Sequence, residues 1–220
     1  MARVIIFGLL DNASLAHFYL SHDSTHEVVA FTVSGAYLPL EPTFEGKPVV
    51  PFEELEQHYP AAEFSLFAPM SPRQMNRLRA EIYRQGKERG YRFLSYVSSR
   101  ATVFPGTPIG ENCFILEDNT IQPFTRIGNN VVLWSGNHIG HHSTIADHVM
   151  FTSHVVLSGH CTVEPYCFLG VNATIRDGLR LGEGTLVAMG ACISRDTEPW
   201  SVYQGNPARK RDVSSTDVEI

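Results

Sequence analysis

Leu133-Trp-Ser-Gly-Asn-His-Ile139-Gly-His-His-Ser-Thr-Ile145-Ala-Asp-His-Val-Met-Phe151-Thr-Ser-His-Val-Val-Leu157 carries an apolar residue at every sixth position. The spacing runs outward both ways without an insertion. Val97, Val103, Ile109, Ile115, Ile121 and Ile127 precede it, and Val163, Leu169, Ile175, Leu181, Val187 and Ile193 follow. Four residues after each stands a mostly small one, such as Cys113, Thr125, Ser143, Ala173 or Ala191; Asn119, Asn137 and Leu179 depart from that rule. A period of six drifts around a 3.6-residue helix and gathers no apolar face. It suits a short strand plus a corner, and three such units close a triangular coil of 18 residues. Residues 18 apart then lie on neighbouring rungs, about 4.8 Å from each other. The apolar and small positions fill the prism. Asn119 and Asn137, 18 apart at the inward small position, are expected to stack as an amide pair. Glycine often follows the apolar residue (Gly110, Gly128, Gly140, Gly170, Gly182), where a positive φ is expected.

The first 95 residues have a different rhythm. Arg3 to Gly8 reads as a buried strand ending in glycine, Ala13 to Leu20 as a helix, and Glu27 to Val33 as a second strand. Pro51 to Gln57 starts a helix with proline and acids in its first turn. Phe64 to Pro69 is a third strand, and Arg73 to Arg89 an amphipathic helix closed by Gly90. This alternation implies a small parallel α/β sheet, half of a Rossmann fold, with ligands beyond the carboxyl ends of its strands near Gly8 to Asn12 and Thr32 to Gly35. Three segments result: an α/β domain over 1–95, the coil over 96–198, and a tail over 199–220.

A net charge of −6 argues against a nucleic-acid partner. No apolar run approaches a membrane span, and Met1 to Gly8 lacks signal-peptide architecture, so a cytoplasmic protein is expected. Cys113, Cys161, Cys167 and Cys192 form no CxxC pair and read as small core residues.

Residues 97–198 resemble the hexapeptide-repeat acyltransferases, which implies that the parallel β-helix is left-handed. The α/β front joined to such coils resembles the bacterial sugar acyltransferases of the sialic acid O-acetyltransferase and bacillosamine N-acetyltransferase type. That resemblance implies a homotrimer that moves acetyl from acetyl-CoA, without a metal, to a sugar or nucleotide-sugar acceptor in surface polysaccharide synthesis. In the family a histidine two residues after a rung position is the general base. Ile139-Gly-His141-His-Ser-Thr-Ile145 matches that pattern. His141 plus 18 is Gly159, and relatives use a glycine N–H there to bind the thioester carbonyl. Where relatives carry an acid after the base, this chain has His142, which shares the catalytic assignment; Asp147 and Asp118 are alternative partners for His141. By the same resemblance Gly159, Val171, Met189 and Arg195 line coenzyme A. The tail Val202-Tyr-Gln-Gly-Asn-Pro-Ala-Arg209 resembles the family's V-x-x-G-N-P-A segment, with Arg209, Lys210 and Arg211 suited to phosphate. It is expected to cap the open coil end as well. Gly8 and Asn12 belong to the expected acceptor loop, though Gly8-Leu-Leu-Asp-Asn-Ala-Ser14 keeps only the first of the family's glycines; His138 is placed at the acceptor pocket.

Six of the ten histidines fall between His138 and His160. His142, His148, His154 and His160 share one outward hexad position, where surface or trimer-contact roles are the bland alternative. Two other functions compete. One is a zinc hydratase of the γ-carbonic-anhydrase kind, although no two repeat histidines stand 36 apart. The other is a sugar-nucleotide binder without catalysis.

Overall fold

The computed structural model describes residues 1–220. The front half forms a sheet of six strands in the order β3-β4-β2-β1-β5-β6, comprising β1 (Arg3–Phe7), β2 (Glu27–Val33), β3 (Thr43–Phe44), β4 (Lys47–Pro51), β5 (Phe64–Phe67) and β6 (Arg92–Phe93). All neighbours are parallel except β3 and β4. Those two form a hairpin that the strand–helix alternation did not reveal. Its turn is Glu45-Gly46, both at positive φ (49° and 70°), as a two-residue hairpin with the right twist demands. The helices are α1 (Asp11–His22), a short α2 (Leu55–His58) and α3 (Arg77–Glu88).

Two helix boundaries differ from the sequence reading. Phe52–Glu54 is a 3-10 turn that hands over to α2. α3 starts at Arg77 rather than Arg73, because Gln74, Met75 and Asn76 all take left-handed φ values (55°, 52° and 63°). Amphipathic spacing alone hides that stop.

From Tyr96 the chain winds as a three-sided parallel coil. Face 1 stacks Tyr96–Val97, Phe114–Ile115, Val132–Leu133, Met150–Phe151, Phe168–Leu169 and Leu186–Val187. Face 2 stacks Thr102–Val103, Thr120–Ile121, His138–Ile139, Val156–Leu157, Thr174–Ile175 and Cys192–Ile193. Face 3 stacks Arg126–Ile127, Thr144–Ile145, Thr162–Val163 and Arg180–Leu181. Every register is offset by 18, as in His138 opposite Val156. The expected interior is observed: from Cys113 to Ile193 all rung and small positions are buried.

The corners work differently from expectation. Positive φ falls three residues after the apolar residue, at Asn112, Asp118, Phe124, Asn130, Gly136, His142, His148, His154, His160, Tyr166, Asn172, Gly178, Gly184 and Gly190. The glycines directly after the apolar residue have other work. A Cβ on Gly140 would lie 2.5 Å from the Gly159 nitrogen, and one on Gly170 2.6 Å from the Met189 nitrogen. They are glycine because the next rung passes too close.

These left-handed residues stack along three edges. Vertex A, between faces 3 and 1, holds Asn112, Asn130, His148, Tyr166 and Gly184. Vertex B, between faces 1 and 2, holds Asp118, Gly136, His154, Asn172 and Gly190. Vertex C, between faces 2 and 3, holds Phe124, His142, His160 and Gly178. The four outward histidines therefore divide among three edges.

Asn119 and Asn137 do not pair. The Asn119 amide donates to the carbonyls of Leu116 and Trp134 (2.9 Å each), and Asn137 Oδ1 accepts from the Val155 N–H (2.7 Å). Each amide binds carbonyls that the corner turns inward. The side-chain ladder runs instead along vertex A, where Asn112 donates to Asn130 Oδ1 (2.7 Å) and Asn130 donates to His148 Nδ1 (2.8 Å).

The front domain sits on face 1. Phe114, Val132 and Met150 point out of the coil into a shared core with Val4, Ile6, Ala16, Leu20, Phe31 and Phe67. Arg79 of α3, fully buried, reaches vertex A and donates to Asn130 Oδ1 (3.1 Å) and Asn76 Oδ1 (2.9 Å). Burial, then the Arg79 charge, lowers the His148 imidazole to about 4, consistent with Nδ1 acting as an acceptor. Asp23, at the end of α1, accepts from the Tyr96 hydroxyl (2.6 Å) and the Ser99 N–H (2.9 Å), joining helix to first rung.

The tail closes the far end. Ser201–Gln204 adds to face 1 beside Leu186–Val187, Arg209–Ser214 returns antiparallel, and the Ala208 N–H donates to Cys192 O (2.9 Å). Tyr203 and Ala208 complete the coil core. All four cysteines are free thiols, three of them buried.

The two glycine classes should separate on mutation. Gly170→Ala forces a methyl against backbone and is expected to cost about 1–3 kcal/mol. Gly178→Asn, at an open corner that Asn occupies elsewhere, should unfold within a degree or two of the parent; thermal denaturation of both variants checks this. Hydrogen bonds from Ser99 and Tyr96 hold the Asp23 carboxyl down at about 2. Its contribution is present above the unfolded value of about 3.9 and lost as pH falls through the folded one. Stability of Asp23→Asn should accordingly fall less steeply than the parent's between about pH 4 and pH 2 in denaturant titrations.

Candidate active site

Vertex C brings together His141 and Gly159. The His141 ring lies over the glycine: a Cβ there would meet His141 Cε1 at 2.8 Å and Nε2 at 3.0 Å. The rung bond from the His160 N–H to His141 O (2.9 Å) fixes the separation, and the His141 N–H donates to Gln122 Oε1 (2.9 Å). The Gly159 N–H has no acceptor within the chain, while its carbonyl accepts from Gly178 (2.9 Å). An exposed imidazole and a free main-chain donor thus sit side by side on adjacent rungs. That pair can take a proton and bind a developing oxyanion.

His141 Nδ1 lies 3.0 Å from His142 Nδ1. No carboxylate takes this place. Asp147 is turned to vertex A, where it accepts from the Asn129 N–H (2.7 Å), and Asp118 stands at vertex B, 3.6 Å from Arg100. The 18-residue period already sets both on other edges, since Asp147 stands six residues, one corner, beyond His141 and Asp118 stands 18 before Gly136. Sequence reading gives His160 an outward position with a surface or trimer-contact role and passes over Phe124. His160 stacks on His142 (4.8 Å between centroids, 14° between planes), and Phe124 packs against His142 at a 35° tilt (4.6 Å). Adding 18 to 124 and 142 reveals the stack once corner residues are known to point outward.

The other expected residues divide by place. Arg195 follows His141, Gly159 and Asp177 in the register of vertex C and is exposed. Val171 and Met189 occupy successive rungs of vertex B, across face 2 from His141, and are 41% and 78% exposed. His138 is half-buried on face 2. Arg209 touches only the Ala208 carbonyl through its side chain, whereas Lys210 is paired with Glu198 (2.5 Å). Gly8, with φ of 114°, ends β1 and donates to Thr32 O (2.9 Å); Asn12 follows in the first turn of α1. Both belong to the domain that covers face 1, so vertex C is the edge opposite it in cross-section.

The coil matches the family described as bacterial transferase hexapeptide (six repeats) over 106–141 and 124–159, and the hexapeptide repeat of succinyl-transferase over 162–195. Among solved structures, the acetyltransferase domain of PglB from Neisseria gonorrhoeae superposes with a TM-score of 0.84 at 18% identity, covering 96% of this chain and 100% of that one. PerB from Caulobacter crescentus, in complex with CoA and GDP-perosamine, gives 0.83 at 23% identity, covering 96% and 98%. The chain has their two-domain fold. The coil is therefore a left-handed parallel β-helix, and the α/β front belongs to the same architecture. WeeI from Acinetobacter baumannii gives 0.81 at 19% identity, covering 96% and 100%. Among curated relatives, the acyl-[acyl-carrier-protein]–UDP-N-acetylglucosamine O-acyltransferase of Campylobacter concisus is 30% identical over 129 residues, covering 56% of this chain and 49% of that protein. Its counterpart from Campylobacter jejuni subsp. doylei is 33% identical over 120 residues, covering 51% and 46%. The chain spans about half the length of these curated relatives.

Proposed function

We propose that the protein transfers an acetyl group from acetyl-CoA to the amine, or a hydroxyl, of a sugar, with a nucleotide-linked amino sugar as the favoured acceptor. The observation that carries this reading is the His141 ring lying against Gly159 on the next rung. The acceptor nitrogen attacks the thioester carbonyl while His141 takes its proton. The Gly159 N–H stabilises the resulting oxyanion. Collapse breaks the carbon–sulfur bond, and the imidazolium returns its proton to the leaving thiolate. No protein nucleophile is needed. His142 meets His141 at Nδ1 and serves as its orienting partner, leaving Nε2 for the acceptor.

Acetyl-CoA would lie along face 2, from Gly159 past Val171 and Met189, with Arg195, Arg209 and Lys210 available to phosphate. Phe124, Val156, Val171 and Met189 expose apolar surface around this one face. That supports a homotrimer in which a neighbouring coil covers it and coenzyme A lies between subunits. The front domain of the same chain covers the opposite side. An acceptor bound near Gly8 and Asn12 would therefore meet the His141 of a neighbouring subunit, with His138 beside it. The solved relative in complex with CoA and GDP-perosamine is consistent with this choice of acceptor.

Purified protein offered acetyl-CoA and a panel of nucleotide-linked amino sugars should release free thiol and add one acetyl group to one of them by mass. His141→Ala should lose most turnover and still sediment as a trimer; retained turnover removes His141 as base. Gly159→Ala should fold normally while its methyl displaces the imidazole, lowering kcat by about a hundredfold.

A further inference from the structure

Vertex C holds a second chemical possibility. His141, His142 and His160 are all exposed, and one ring nitrogen from each lies within 4.8 Å of the others. The fold imposes this grouping. His142 and His160 share the left-handed corner position on adjacent rungs, with φ of 59° and 57°, so their rings stack in parallel. His141 precedes His142 and faces the same edge, its ring 5.0 Å from His160 and nearly perpendicular to it. None of the three rings is held by a carboxylate; their one hydrogen-bonding contact is between His141 and His142 Nδ1.

We propose that these three imidazoles form a site for a borderline divalent cation, zinc foremost, that occupies the base and blocks its reaction. Tetrahedral zinc at about 2.0–2.1 Å from each nitrogen needs ligands about 3.3 Å apart. The His141 and His142 nitrogens are already at 3.0 Å. Drawing in the third takes side-chain rotation only, since all three rings are exposed on the surface of the chain and the backbone of both rungs stays fixed. Three neutral nitrogens leave a fourth position to water. Carboxylate-binding ions such as magnesium and calcium find no oxygen ligand among the three rings and are rejected. Each neutral ring gives the metal the lone pair of one nitrogen and keeps its proton on the other, so the proton shared in the His141–His142 contact moves, through solvent, to the Nε2 of its own ring. The imidazole that would accept a proton from the acceptor is then engaged. Metal binding follows from the geometry alone; the blocking effect rests on the acetyl-transfer reading.

Calorimetric titration of chelator-treated protein with zinc chloride should show one ion per chain. Cobalt in its place should give the intense visible bands of a tetrahedral site, and magnesium should give no heat. His160→Asn keeps a side chain suited to the left-handed corner and removes one ligand, so zinc affinity should drop at least about tenfold. Its metal-free acetyl transfer should persist, with inhibition by zinc weakened in the same proportion. His22→Gln, on the remote α1, should bind zinc as the parent does. Equal zinc affinity in parent and His160→Asn, or no stoichiometric binding, overturns the site. Zinc that raises turnover, or that confers hydration of carbon dioxide, overturns the blocking role. Stoichiometric, His160-dependent zinc in a protein that acetylates no sugar leaves the site standing and removes the acetyl-transfer reading instead.

Discussion

The rung-to-rung hydrogen bond governs this molecule. In each turn an N–H donates to the carbonyl 17 residues further on, as His138 does to Val155 and Gly140 to Leu157 (2.9 and 2.8 Å). One inserted residue would shift every later side chain to another face, and with it the interior would be lost. The unbroken six-residue period is the sequence trace of that demand. Because the ladder fixes 18 residues per turn, any two groups 18 apart are held about one strand spacing from each other, whatever their chemistry. A base and an oxyanion donor can then be set opposite one another without a dedicated loop.

The period showed the coil because it concerns burial, which apolar residues report directly. It did not show which hexad position turns left-handed. Glycine is the usual mark of positive φ, and it stands one residue after the rung in five hexads. Those glycines answer to close approach instead. The corner itself accepts Asn, Asp, His, Tyr and Phe, and at vertices A and C aromatic side chains there stack on a neighbour. Contact along the stack offsets the small local cost of the αL region. The front domain was legible as alternating strands and helices. Its hairpin over 43–51 and the late start of α3 were not, since both depend on turns whose residues carry no distinctive pattern.

The site divides along the same line. His141 and Gly159 were readable by adding 18. The same arithmetic sets Asp147 and Asp118 on other edges; what it does not give is that the His141 and His142 rings turn toward each other. Asp147 and Asp118 lie at vertices A and B, committed to Asn129 and Arg100. Arg79 was unreadable as well. On an exposed helix face an arginine is ordinary, yet here it is buried whole and ties α3 to vertex A through amide and carbonyl oxygens. No carboxylate neutralises it. Its position therefore depends on the Asn112–Asn130–His148 ladder being intact.

With His141 as the proposed base, an imidazole beside it gives a different kind of control from a carboxylate. A carboxylate fixes the neighbouring ring by charge and keeps one function. An imidazole at 3.0 Å fixes it by a hydrogen bond whose proton can sit on either ring. The same lone pair that orients His141 can instead bind a metal, since an imidazole nitrogen is a common zinc ligand. The His160 ring matters only in the second case, since it stacks on His142 and makes no side-chain hydrogen bond. In the proposed reading the edge combines a reaction site needing two rungs and a ligand cluster needing the same two, and the ring they share is His141.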